Sequence, residues 1–400
     1  MRSVVLFLFV SIPILAAESD ALAISANIQA RHTPFGTILD PIFSAPDSDQ
    51  IAGYTRCGDS AIWTGHYLAA EAFRYRVTHS ADALANAKRA LDGLTLLTDV
   101  TGINLLARCA VPVASDFATG IAQEEAANGV WFGSAGGNAY MWIGNTSRDQ
   151  YSGAIFGLGV AYDMIDDPSV RNQAAALTTR LVQFLVDHLW NVVMPDGSIS
   201  TTFIIRPDQQ LALAQVARHV NSAQFGSIYN KLAGAAPLVP VPLSVDAADP
   251  TGSYFKFNLD AINFDHLLPL ESNFIRKLFY SAAYDTFRGT VDGHQNAHFN
   301  MIDRAIHGPN PKRDADTVQF LNEWLKRPRR DFSVDLHGVV PVCGDQACDP
   351  VPVALRVPAD FLWQRNPFQL TGGGDGLIES AGIDYILPYW MARYYGILNQ

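Results

Sequence analysis

The 400-residue chain contains no C-x-x-C pair, no G-x-S-x-G elbow and no H-E-x-x-H helix motif. The first absence disfavours a cysteine-based zinc site, the second the nucleophile turn of α/β-hydrolases, and the third the zinc-peptidase helix. The chain also lacks a long low-complexity linker, so with 48% hydrophobic residues it reads as one large domain with a deep core. Positive charge is scarce. Net charge is −11, and the only basic cluster is KRPRRD at 326–331, read as a solvated helix end. A nucleic-acid backbone would be repelled by such a surface. Within the cluster, Arg329 and Arg330 are candidate anchors should the substrate be acidic.

No apolar run is long enough for a membrane anchor: Val4 to Ala17 is shorter than the ~20 residues a span requires. Preceded by Met1 and Arg2 and followed by Ala21 and Ala23, it reads as a secretory signal over residues 1–23. The expected mature chain, 24–400, is then exported to a periplasmic or extracellular space, without stable membrane insertion. In that oxidising compartment four cysteines favour disulfides. Cys343 and Cys348 flank the polar turn GDQA, which leaves Cys57 for Cys109.

Helical periodicity dominates what remains. Helices are expected over 60–78, 81–98, 149–165, 169–190, 207–219, 222–234, 270–287, 294–306, 314–326 and 383–397, with loops or short strands over 235–258 and 332–376. WTGHYLAAEAFRY (63–75) and YSGAIFGLGVAY (151–162) share an aromatic–hydroxyl–Gly opening and are apolar nearly all round. Each is followed by an amphipathic partner. A helix without a polar face must be buried on every side, whereas its partner faces water. Gly153, Gly157 and Ala161, four residues apart, give the second apolar helix a flank that a neighbour can approach closely.

With its Gly-rich apolar helices opened by GDSAIWTG and SRDQYSG, the sequence resembles the six-hairpin (α/α)6 toroids of the glycosidase-like superfamily. The resemblance is architectural and implies an all-α fold: an inner ring of apolar helices within an outer amphipathic ring. That superfamily includes hydrolases, uronate-removing enzymes and lyases, and no single family's catalytic signature matches closely enough to transfer its acids.

Under this reading the N-termini of the apolar helices open into one cavity lined by Asp59 and Asp149. Sugar hydrolysis needs two such carboxyl groups, one to protonate the leaving oxygen and one to activate water or attack the anomeric carbon. Each aspartate also has a structural explanation. Asp59 stands where an N-cap would, and Asp149 follows Ser147 in an S-x-x-Q capping box closed by Gln150. Glu71 has Arg74 at i+3, an ordinary helix-side ion pair, and is left out of the site.

Trp63, Tyr151 and Trp363 are candidate stacking surfaces for a sugar, together with Trp131, Tyr140 and Trp142. Arg148 and Arg365 offer charge-assisted donors, and Asn296, His298 and Asn300 a polar face. His294 and His298 lie one helical turn apart, but without the accompanying Glu a metal is not expected; nor is a cofactor. The function expected is that of an exported glycoside hydrolase acting on an oligo- or polysaccharide. Two alternatives stay open. A polysaccharide lyase would use His298 or a Tyr as base beside a uronate, and a non-catalytic toroid would bind glycan or protein.

Overall fold

The computed structural model describes residues 16–358 and 360–399. Most of the expected signal run, residues 1–15, lies outside them. In chain order the elements begin with α1 (Glu18–Asn27), β1 (Asp40–Phe43), β2 (Ile51–Thr55), α2 (Ser60–Thr78), α3 (Ala81–Asp99), β3 (Cys109–Pro112) and α4 (Ala118–Glu124). The hairpin β4 (Val130–Ala135) and β5 (Asn138–Ile143) leads into α5 (Arg148–Met164) and α6 (Pro168–Asp187). A second hairpin, β6 (Asn191–Val193) and β7 (Ile199–Thr202), leads into α7 (Pro207–Val220) and α8 (Ser222–Leu232). Then come α9 (Pro240–Ala247), α10 (Phe255–Leu267), α11 (Phe274–Thr290), α12 (Ala297–His307) and α13 (Pro311–Trp324). The chain ends through β8 (Arg330–Asp335), β9 (Val342–Cys343), β10 (Gln346–Ala347), β11 (Thr371–Glu379) and α14 (Ile383–Tyr394).

The all-α expectation is thereby corrected. The chain is 55% helical and 14% strand, with antiparallel sheets in the orders β2-β1-β11-β8, β3-β5-β4, β6-β7 and β10-β9. Sequence periodicity overlooked the strands because they are short and sit in the connections. The stretch 103–145 carries the β3-β5-β4 sheet, with the short helix α4 between its strands, and in that sheet Trp131 pairs with Trp142. Gly136 and Gly137, both with positive φ, close its hairpin, a turn that suits the twist of the flanking strands. Strands β2, β5, β7 and β11 immediately precede α2, α5, α7 and α14. They therefore fix where those helices begin.

A second correction concerns 235–258, where two helices replace the expected loop. FKFNLD alternates apolar and polar residues like a strand, yet opens α10. Arg206 explains how that helix is held: it donates to Asp208 and Asp260 and pairs with Asp246 at 2.8 Å, tying α7, α9 and α10 together. Burial pushes the Asp260 carboxyl well up, while the three aspartates raise Arg206.

The apolar helices pack as expected. In α5 every residue from Gln150 to Ala161 is buried. Helix α2 packs on α5, α5 on α7, α7 on α10, α10 on α12, α12 on α14, and α14 back on α2, closing a circuit of six helices. At the tightest crossing a Cβ on Gly65 would stand 2.0 Å from Gly153 O, and one on Gly157 2.2 Å from Gly65 O. Only glycine allows these backbones to meet. Outside them, α3 packs on α2 and α6 on α5, and Lys88–Asp167 (3.0 Å) and Arg180–Asp99 (2.6 Å) join α3 to α6 at partly exposed positions. Asp167 caps α6 before Pro168, accepting from the amides of Ser169 and Val170.

Both disulfides form as expected, Cys57–Cys109 and Cys343–Cys348. Among the described residues no helix is long and apolar enough to cross a membrane. The expected signal boundary after Ala23 falls within α1. In that helix Ala21 is fully buried and Glu18 accepts from Arg393 at 2.6 Å.

Candidate functional site

A cavity of about 360 Å³ lies where three helices begin. Asp59, Ile62 and Trp63 reach it from the start of α2, Asp149 from the start of α5, and Phe255, Asn258 and Leu259 from the start of α10. Asp360, Gln364 and Arg365 complete it from the loop before β11. Its wall is mixed, with Ile62, Trp63, Phe255 and Leu259 set among six polar or charged residues, and convergent polar groups beside apolar surface are the mark of a small-molecule site.

Neither aspartate has the structural role that local sequence offered. Asp59 precedes α2 but accepts no capping bond from its amides, and the Ser147–Gln150 capping box is absent. The partners go elsewhere. Gln150 reaches across to α2, accepting from Ile62 N at 3.1 Å and donating through Nε2 to Asp59 Oδ1 at 3.3 Å. Ser147 donates to Asp149 and accepts from Arg108 at 2.9 Å. Arg108 also donates to Gly58 O and Asn145 O, lacing the two helix starts together, and its guanidinium stands 3.9 Å from Asp59.

Burial pushes the Asp59 carboxyl up to about 6, reinforced by the charges of Asp149 and Asp360 and opposed by Arg108 and Gln150. Near neutral pH it therefore exchanges a proton readily, as a general acid must. Asp360 was not singled out from the sequence. It accepts from Arg56 and pairs with Arg365, both at 3.3 Å, and takes the Phe361 amide at 2.9 Å. The signal for it was its place in the same long loop as Trp363, Gln364 and Arg365. Phe255, Asn258 and Leu259 were missed because α10 was read as a loop.

Of the candidates named from the sequence, Asp59, Asp149, Trp63 and Arg365 line the cavity, whereas Trp131, Tyr140 and Trp142 lie in the β3-β5-β4 sheet. Trp363 and His298 lie among buried rings connected to it. The Trp363 ring centroid is 6.1 Å from Trp63, 5.0 Å from His66 and 4.9 Å from His298. Both nitrogens of His298 lack a hydrogen-bond partner among the described residues, and burial lowers its pKa well below the ordinary value. It therefore stays neutral, contrary to the expectation of a proton carrier near neutral pH. His66 is likewise held down at about 4 by burial.

Further candidates are occupied elsewhere. Tyr151 is fully buried with its hydroxyl accepting from Leu106 N, and Arg148 donates to Thr201 Oγ1 and Thr202 O. Asn296 caps α12, and Asn300 accepts from Arg288 at 2.8 Å. Arg329 and Arg330, the possible anion anchors, donate to backbone carbonyls at Ser380 and Ala381 and at Ala45, Pro46 and Ser48. Glu71 is buried against Arg74 at 3.0 Å, the structural pair that its spacing implied.

Compared with protein-family models, with characterised proteins and with solved structures, the chain matches none.

Proposed function

We propose that the cavity hydrolyses a glycosidic bond, with Asp59 as general acid and Asp149 as its partner. The observation that carries this reading is the convergence of two carboxyl groups from separate helix starts, one of them raised to about 6, beside Trp63 and Phe255. Asp59 donates its proton to the glycosidic oxygen as the bond to the anomeric carbon breaks. Asp149 takes a proton from the water whose oxygen bonds to that carbon. Asp59 ends as carboxylate and Asp149 protonated, and proton exchange with solvent resets the pair.

The six-helix circuit supports the likeness to a six-hairpin toroid, here with sheets added at the helix entrances. The two closed disulfides support an exported protein. A lyase has less behind it, because His298 is sequestered and the cavity's Arg365 is engaged by Asp360. A binder would not require a raised carboxyl at its centre.

The test is turnover of an oligosaccharide panel, read both as new reducing ends and as absorbance from unsaturated uronates. Asp59→Asn and Asp149→Asn are each expected to lower the release of reducing ends by at least ~100-fold. Since the acid works protonated, kcat/KM should fall as pH rises through about 6. Full activity in both variants would remove the assignment, and unsaturated products would replace the hydrolase with a lyase.

A further inference from the structure

The charge of this cavity is one-sided. Asp59, Asp149 and Asp360 line it, and among the described residues Arg365 is the single cation of the lining. Arg365 is already paired with Asp360 at 3.3 Å. The arginines behind the wall are engaged too. Arg108 serves Gly58 O, Asn145 O and Ser147, Arg148 serves β7, and Arg56 bridges Asp360 and Asp40. Asp59 is raised mainly by burial, with the charges of Asp149 and Asp360 adding to the rise.

A second, independent feature is aromatic. Phe255 lines the cavity with 48% of its surface exposed, and the buried Trp63 lines it as well. An aromatic face attracts a cation brought close to it, and the attraction grows as water is excluded. Asn258 and Gln364 add neutral donors and acceptors suited to hydroxyl groups.

Resting on the glycosidase reading, we infer that the sugar taken by this cavity carries a free, protonated amine: an amino-sugar unit of a cationic glycan. A uronate would bring a further negative charge beside Asp149 and Asp360, where the described arginines are already engaged. A neutral sugar would fill the apolar wall but leave the surplus negative charge uncompensated. An ammonium group held by Asp360 supplies that charge, and it leaves Asp59 free to donate its proton to the bridging oxygen and Asp149 free to take one from water.

The experiment is calorimetric titration of the full chain near pH 6 with four probes: glucosamine oligomers, N-acetylglucosamine oligomers, galacturonate oligomers and a linear polyamine. Glucosamine oligomers are expected to bind at least ~10-fold more tightly than their acetylated counterparts, with affinity falling as salt is added and with no detectable binding of galacturonate. Asp360→Asn should narrow the preference for the free amine. Equal or tighter binding of the acetylated or uronate oligomers overturns the inference, as does failure of glucosamine oligomers to bind. Polyamine binding as tight as that of glucosamine oligomers overturns it as well, since charge alone would then suffice.

Reducing-end release measured in parallel keeps the two readings apart. Tight binding of glucosamine oligomers without cleavage of any probe retains the amine specificity and removes the hydrolase. Cleavage confined to neutral oligomers does the reverse.

Discussion

The helix starts at 57–63 and 145–150 contrast with the stretch 292–348. The second is at least as rich in functional-looking groups, with His294, Asn296, His298, Asn300 and Asp303 close in sequence. Yet these side chains are turned inward. Asn300 accepts from Arg288, Asp303 is bound by Arg313 and His307, and His294 meets the Tyr254 hydroxyl at 3.0 Å. At the first pair of helix starts, Asp59 and Asp149 keep open sides: 42% of the Asp59 side chain remains accessible. Polar residue type therefore does not mark a site. What marks it is a polar group whose internal partners leave part of it facing a cavity.

The largest effect that would sharpen this contrast is on stability. The Cys57–Cys109 bridge spans 52 residues and anchors the turn that presents Asp59, whereas Cys343–Cys348 spans 5. Replacing both cysteines of the first bridge by alanine should cost about 4 kcal/mol, and of the second about 2, because the longer loop constrains the unfolded chain more. Denaturant unfolding of the two double variants measures the difference; equal losses would show that the first bridge has no special hold on the helix starts.

Smaller is the effect expected of Asn300→Ala, which strips a partner from the buried Arg288. It should lower stability by about 1 to 3 kcal/mol and leave oligosaccharide binding in the cavity unchanged. Loss of binding with stability intact would place Asn300 in the site and erase the contrast.

The smallest effect concerns Asp59 itself. Its folded-state pKa is raised above the ordinary carboxylate value, so ionising it costs the folded state. That cost is absent at pH values below the unfolded pKa and grows as pH rises toward about 6. Asp59→Asn removes it and should make the protein more stable at neutral pH by roughly 1 kcal/mol, a figure discounted for the water reaching the half-open carboxyl. Thermal unfolding across pH should show the gain vanish in acid. A variant less stable than the parent at neutral pH would mean that Asp59 has a structural role after all.

Much of the framework was legible from neighbours in the chain. Apolar periodicity without a polar face required burial of α2 and α5, glycines four residues apart allowed their close crossing, and Asp167–Pro168 marked the start of α6. The cysteines were paired by the short GDQA turn and by elimination. Asp59 and Asp149 were legible as candidates because each stands at the entrance of an apolar helix. The strands, α10 and Asp360 were not, since short connections, a strand-like alternation at 255–260 and a single loop carboxylate carry little local signal.

The sequence by itself determined that α2 and α5 are buried and where their entrances lie, because those follow from periodicity and from residues a few positions apart. Only the tertiary structure decided what the polar groups at the entrances do. Gln150 could have closed a capping box with Ser147, but it bonds instead to Ile62, 88 residues away in the chain, and to Asp59, 91 residues away. His298 has the residue type of a proton carrier, yet dense packing around it excludes water and keeps it neutral. A polar side chain takes its partner, and an ionisable one its proton affinity, from whatever the fold brings alongside.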